Sequence, residues 1–131
     1  MTFGLETVPL KKSSERKMEV AEMRMLRWMS GVTKKDRIKN ERIRNTVKVT
    51  SVSKKVQEAR LRWFGHVVRE EEESGERRIM EMEVEGRRRR GRPRIRWRDC
   101  VAADGREKNL DLQVARDRLR WRRLIKNSDP V

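Results

Sequence analysis

The chain has 131 residues, enough for one ordinary domain or two very small ones with a modest core. Charged residues make up 44% of it against roughly 25% in an average domain, and the hydrophobic share is only 34%, so packing has to come from short amphipathic helices separated by charged segments. Lys and Arg total 36 against 21 Asp and Glu, a net charge of +15 beyond the about 2 to 8 that solubility needs; one cysteine, Cys100, excludes an intramolecular disulfide, and one histidine, His66, leaves a structural zinc site short of ligands.

Taken in chain order, residues 1–12 read as an extended or disordered remnant. Ser13 or Ser14 can cap a first helix with Glu15 in its opening turn. Its expected inner stripe is Met18, Ala21, Met25 and Met29, widened by Leu26, and Gly31 ends it. Thr33 and Asp36 form a capping-box-like pair opening a short turn that contains Ile38, and Asn40 can cap another helix carrying Ile43 and Val47. The stretch KVTSV (48–52) looks extended, with Val47, Val49 and Val52 available for packing.

From Ser53 to about Glu71 the spacing predicts a longer helix with Val56, Ala59, Trp63 and Val67 inward and Phe64 and Val68 beside them. Its outer faces would carry Lys54, Lys55, Arg60, Arg62 and Arg69; Gly65, costly inside a helix, implies close packing or a kink. The acidic run EEEESGE (70–76) reads as a linker. MEMEVEG (80–86) alternates like a strand although Met and Glu favour helix. Gly86 to Arg94 is a loop, after which Pro93 suits the first turn of a helix with Trp97, Cys100 and Val101 inward. A last helix from about Leu112 to Lys126 would bury Ala115, Trp121, Leu124 and Ile125. The expected fold is mainly α: a helical subdomain over 13–72, a charged linker and basic loop over 73–92, a two-helix subdomain over 93–127 and a tail over 128–131.

The sharpest motif is GRRRRGRPRIRWR (86–98). Its core, Arg90-Gly91-Arg92-Pro93, resembles the AT-hook, in which Arg-Gly-Arg-Pro lies in the narrow, electronegative minor groove of A·T-rich DNA. The plainer alternative is a solvated basic loop or nuclear-import tract that meets phosphates without reading bases. Trp28, Trp63, Trp97 and Trp121 each neighbour an arginine and could stack on unpaired bases, yet all fall near apolar stripes, so core packing is the better reading. His66, with no cysteine or paired carboxylate in view, is expected to be a partly buried, hydrogen-bonded side chain. Ala103-Asp104-Gly105 superficially matches a polymerase metal-binding turn but lacks the second aspartate, and no phosphate loop or activated nucleophile is visible.

The expected function is therefore non-catalytic binding of RNA or DNA through phosphates, without cofactor, metal or small-molecule substrate. The contacting residues would be Arg87, Arg88, Arg89, Arg90, Arg92, Arg94, Arg96 and Arg98, assisted by Lys54, Lys55, Arg60 and Arg62. The alternatives are an A·T-selective minor-groove binder on Arg90, Gly91, Arg92 and Pro93, or a helical module that folds on a protein partner. The N-terminal MTFGLETVPL lacks the apolar run of a signal peptide and nothing approaches a membrane span, so nucleus or cytoplasm is expected.

Four blocks also stand in a recognisable order: ERKMEVAEMRMLRWMSGVTKKDRIKNERIR, EARLRWFGHVVR, GRRRRGRPRIRWRD and ARDRLRWRRLIKNSDP. Together they resemble the region downstream of the polymerase in non-LTR (LINE-type, RTE-like) retrotransposon proteins, and Phe3-Gly4-Leu5-Glu6-Thr7 is similar to the YG-x-E-T segment of that family. The resemblance implies a truncated fragment of an endonuclease and reverse transcriptase whose catalytic domains lie upstream, so no catalytic residue carries over. It also implies RNA, target DNA or the parent reverse transcriptase as partners.

Overall fold

The computed structural model describes residues 4–83, 86 and 90–127. Val84 and Glu85 of the alternating stretch, Arg87, Arg88 and Arg89 of the basic tract, residues 1–3 and the expected tail over 128–131 lie outside the described residues. The chain is mainly α, as its composition and periodicity imply, and no strand occurs among the described residues. Six α-helices follow one another: α1 Lys12–Met29, α2 Asn40–Val47, α3 Val52–Arg69, α4 Gly75–Glu81, α5 Trp97–Glu107 and α6 Arg118–Ile125. Short 3-10 turns occupy Leu5–Thr7, Lys34–Asp36 and Leu112–Arg116.

Helix α3 is the hub, touching α1, α4, α5 and α6 and the turns at Leu5–Thr7 and Leu112–Arg116. The main core gathers Leu61 of α3, Val101 of α5, Ala115, and Trp121 and Ile125 of α6, rimmed by Phe64, Val68, Trp97, Leu110, Leu112 and Val114. The residues before and after the acidic run thus share one core. A smaller cluster joins Met23 and Leu26 of α1 to Ile43 of α2, with Ile38 and Val47 against it. Residues 4–12 are not simply extended, because the Leu5–Thr7 turn packs on α3 and Trp97 Nε1 donates to the Glu6 carbonyl at 2.6 Å.

Helix α1 ends as Gly31 predicts. The glycine sits at φ 64, Val32 N–H bonds the Arg27 carbonyl and Gly31 N–H the Trp28 carbonyl, which is the paired pattern of a left-handed C-terminal cap. Of the predicted stripe only Leu26 is buried, with Met18 and Ala21 partly so. Glu22, Met23 and Leu26 face inward, while Met25, Trp28 and Met29 are exposed. The helix is rotated because its glutamates have partners inside: Glu22 Oε2 lies 2.6 Å from Arg44 Nη1 of α2, and Glu19 accepts from the Ser53 hydroxyl of α3. A rule that turns every charge outward cannot anticipate this.

The Thr33–Asp36 pair forms, with Thr33 N–H donating to the Asp36 carboxylate at 2.6 Å and holding that carboxyl below its usual range, but Ile38 falls after the turn. Helix α2 begins at Asn40, whose side chain accepts from Arg27 Nη2 at 2.9 Å instead of capping. In the acidic run, Ser74 accepts from Arg77 N–H and starts α4, so Glu76 is helical, and of the alternating stretch Met80 and Glu81 are helical while Met82 and Glu83 follow the helix in neither helix nor strand. Helix α5 starts at Trp97, four residues later than Pro93 suggests, because Asp99 reaches back to accept from Arg96 N–H at 3.0 Å.

The expected last helix is two pieces. Asp117 interrupts it: its carboxylate accepts from the N–H groups of Leu119 at 3.0 Å and Arg120 at 3.1 Å, so the chain restarts as α6 instead of continuing from Leu112. Leu124, expected inside, is exposed. Leu61, which the predicted stripe of α3 omits, is fully buried.

Gly65 explains how α6 docks. Trp121 Nε1–H donates to the Leu61 carbonyl at 2.8 Å, a helical carbonyl reachable only because position 65, one turn on, has no side chain. A Cβ there would lie 2.5 Å from Trp121 Nε1. The helix continues unbroken through Gly65, so close packing rather than a kink is the reason for the glycine. Arg69 Nη1 donates to the Ala115 carbonyl and Asn127 Nδ2 to the Lys54 carbonyl, which fixes α6 antiparallel to α3.

Candidate nucleic-acid interface

Lys54 is exposed, and Arg62 is exposed with its guanidinium 2.6 Å from Glu58. Lys55 is also exposed. Arg60 is a correction. It is 3% exposed, with Nη1 2.6 Å from Asp104 Oδ2 and Nη2 3.6 Å from Glu15 Oε1, and so ties α3 to α5 and α1. Gln57 Nε2 extends the tie to Glu107 at 3.1 Å. Burial raises the Asp104 carboxyl above its ordinary value while Arg60 pulls the other way. A guanidinium committed to a buried carboxylate cannot reach a phosphate. Asp104, in the stretch that superficially matched a polymerase turn, is thus inside a helix and engaged by arginine.

Arg90, Arg92, Arg94, Arg96 and Arg98 are all exposed, as are Gly91 and Pro93. Their side chains make no hydrogen bond or ion pair to a described residue. The AT-hook-like core bends at Arg90–Arg92, with Gly91 at φ 123, a conformation that glycine alone adopts without strain. His66 is exposed, not partly buried, with Nε2 3.4 Å from Glu70 Oε1 and its ring against Trp63.

The residues that sequence reasoning missed lie on and just before α6. Arg116, Arg118, Arg120, Arg122, Arg123 and Lys126 are all exposed. The one acid within this segment, Asp117, serves as the helix cap, and Glu81 and Asp99 line the groove beside Arg116. With Trp121 and Ile125 turned inward, every other position of this short helix faces out. Like charges three and four residues apart, such as Arg118 with Arg122 and Arg120 with Arg123, each cost an isolated helix about 0.2–0.5 kcal/mol. Arg118 also stands near Arg69, whose guanidinium is pushed down first by burial and then by that neighbouring cation. The spacing of WRRLI was the available signal, but it served only to find the core face.

The two basic stretches are not remote. Arg98 and Arg116 line the same groove of about 460 Å³, whose floor includes Phe64, Val68, Val101 and Leu112. Among the described residues, no set of three His, Cys, Asp or Glu side chains could hold a metal ion. Cys100 is buried and its thiol is pushed up by that burial. No described helix is long and apolar enough to cross a membrane. No protein-family model matches the chain, and neither a curated protein nor a solved structure does.

Proposed function

We propose that the protein binds nucleic acid mainly through the phosphate backbone, with the exposed cations of α6 as a fixed patch and Arg90 to Arg98 as an adaptable arm. The observation that carries this reading is the segment 116–126: six exposed cations, four of them on α6, that form no ion pair with a described residue, held by a helix anchored by Trp121 and Ile125. A polyanion would relieve the mutual repulsion and release its own condensed counterions on binding. Arginine suits the task because its planar fork meets two phosphate oxygens at once. The order of the four sequence blocks supports a further proposal, that the chain derives from the C-terminal part of a non-LTR retrotransposon reverse transcriptase and acts in the nucleus or cytoplasm on RNA or DNA.

Salt-titrated binding tests the reading. Log K is expected to fall with log salt at about −0.9 per phosphate contacted on duplex DNA, and Arg120→Ala/Arg122→Ala/Arg123→Ala to flatten that slope by roughly 2 to 3. A slope near zero, or one unmoved by the triple substitution, would reject α6 as the contact surface. Arg90 and Arg92, exposed beside Gly91 and bonded to no described residue, favour a second reading, A·T-selective minor-groove binding, which equal affinity for A·T-rich and G·C-rich duplexes would reject.

A further inference from the structure

Helix α1 is sorted by charge. All three of its acids are engaged, Glu15 towards Arg60, Glu19 by Ser53 and Glu22 by Arg44. What faces out is cationic and apolar: Arg16, Lys17 and Arg24 alternate with Val20, Met25, Trp28 and Met29. Lys17, Arg24 and Trp28 fall on one face, a ridge at seven- and four-residue spacing, which is two turns and then one turn of helix. Trp28 is 83% exposed, stacks on no described ring and makes no hydrogen bond to a described residue. The other described tryptophans are anchored: Trp121 and Trp97 donate to carbonyls, and Trp63 lies against His66.

Beside this ridge runs a groove of about 640 Å³ bordered by Arg16, Arg24, Arg27 and Lys34, with Glu19 as its one acid and with Arg44, already committed to Glu22, at its edge. Arg27 is held in place by the carbonyls of Thr33 and Ile38 and by Asn40. An aromatic face next to a track of positive charge is the arrangement that binds unpaired strands, since every base offers a π-face and every nucleotide a phosphate.

We infer that the outer face of α1 is a platform for an unpaired nucleic-acid strand, with a base on the Trp28 indole and the adjoining phosphates on Arg24, Lys17 and the basic groove. The inference rests on the nucleic-acid reading above and adds to it a preference for single strands. In a duplex the base faces are covered by their neighbours, so the indole gains nothing there. A second copy of this chain is the poorer occupant, because a two-fold contact would set Lys17 and Arg24 against their own equivalents with no acid on the ridge to offset them.

The test holds charge constant and removes the base. Oligonucleotides of about 12 residues, one base-bearing and one abasic throughout, are titrated against the full chain alongside a duplex. The parent is expected to bind the base-bearing strand at least about fivefold more tightly than the abasic one. Trp28→Ala should abolish that preference, Trp28→Phe should keep most of it, and duplex affinity should not move. Since Trp28 is exposed, Trp28→Ala should melt within about 3 °C of the parent. If Trp28→Ala retains the preference while abasic and duplex strands still bind, the platform is wrong and the α6 reading stands. If Trp28→Ala converts a sedimenting dimer to a monomer with the preference intact, the face is a self-association surface and the inference is overturned. If no strand binds even in dilute buffer, both readings fall together.

Discussion

The tetrapeptide Arg-Leu-Arg-Trp occurs twice, at 60–63 in α3 and at 118–121 at the start of α6, and the fold uses it in opposite senses. In the first copy Leu61 is fully buried, Arg60 is buried with it, and Trp63 is only half-buried. In the second, Trp121 is buried, Leu119 is 73% exposed, and Arg118 and Arg120 both face solvent. Leu and Trp two residues apart sit on nearly opposite sides of a helix, so a single-sided helix can bury one of them and not both. The two buried choices then meet, with the Trp121 indole N–H on the Leu61 carbonyl across the Gly65 gap. Identical side chains therefore serve as core and ion-pair anchor in one place and as a candidate phosphate surface in the other. Local sequence does not distinguish the roles.

Substitutions at matched positions sharpen this contrast. The largest effect should come from Trp121→Ala, which removes the biggest core side chain and its hydrogen bond and is expected to cost about 3–5 kcal/mol in urea unfolding. It should also weaken nucleic-acid binding, because the α6 cations lose their scaffold; intact stability would show that α6 is not docked as described.

Next is the pair Arg60→Ala and Arg118→Ala. The first should destabilise by about 3 kcal/mol by stranding Asp104 beside α3, with little change in the salt slope of binding. The second should leave stability within about 0.5 kcal/mol and flatten the slope by about 0.9. The pH dependence of Arg60→Ala has a definite sign. Burial already raises Asp104 above 3.8, so its ionised form is the less favoured in the fold, and its contribution is fullest in acid and fades as pH rises through the folded value. Losing Arg60 removes the opposing attraction, so the variant should lose more stability at neutral pH than in mild acid. Thermal melts across that range check it, and an equal loss throughout would mean that Asp104 does not need the guanidinium.

The smallest effect belongs to Leu119→Ala, expected within about 0.5 kcal/mol of the parent by the same unfolding measurement. A large loss there would erase the contrast with Leu61.

Much of the architecture was legible before any coordinates. The helical class, the Gly31 terminus, the Thr33–Asp36 pair and close packing at Gly65 all rest on local rules of capping, spacing and side-chain size, which act within a few residues. The misread positions on α1 and α3 have a common origin. Arg60, Met25, Met29 and Trp28 were assigned by polarity, yet partners on other helices drew Arg60 and Glu22 in and left the apolar groups outside. Of the expected contact residues, the exposed Arg90 to Arg98 set survives as a surface, Arg60 does not, and the α6 cations went unnoticed because their segment was used only to locate Trp121 and Ile125.

By itself the sequence determined the charge excess, the helical periodicity and the crowding of arginines around 86–98 and 116–126, since these depend only on residue type and order. Which arginines are free to meet a polyanion was decided by tertiary structure alone. A guanidinium is available only if no carboxylate from a distant helix claims it, and Asp104 lies 44 residues from the Arg60 it binds.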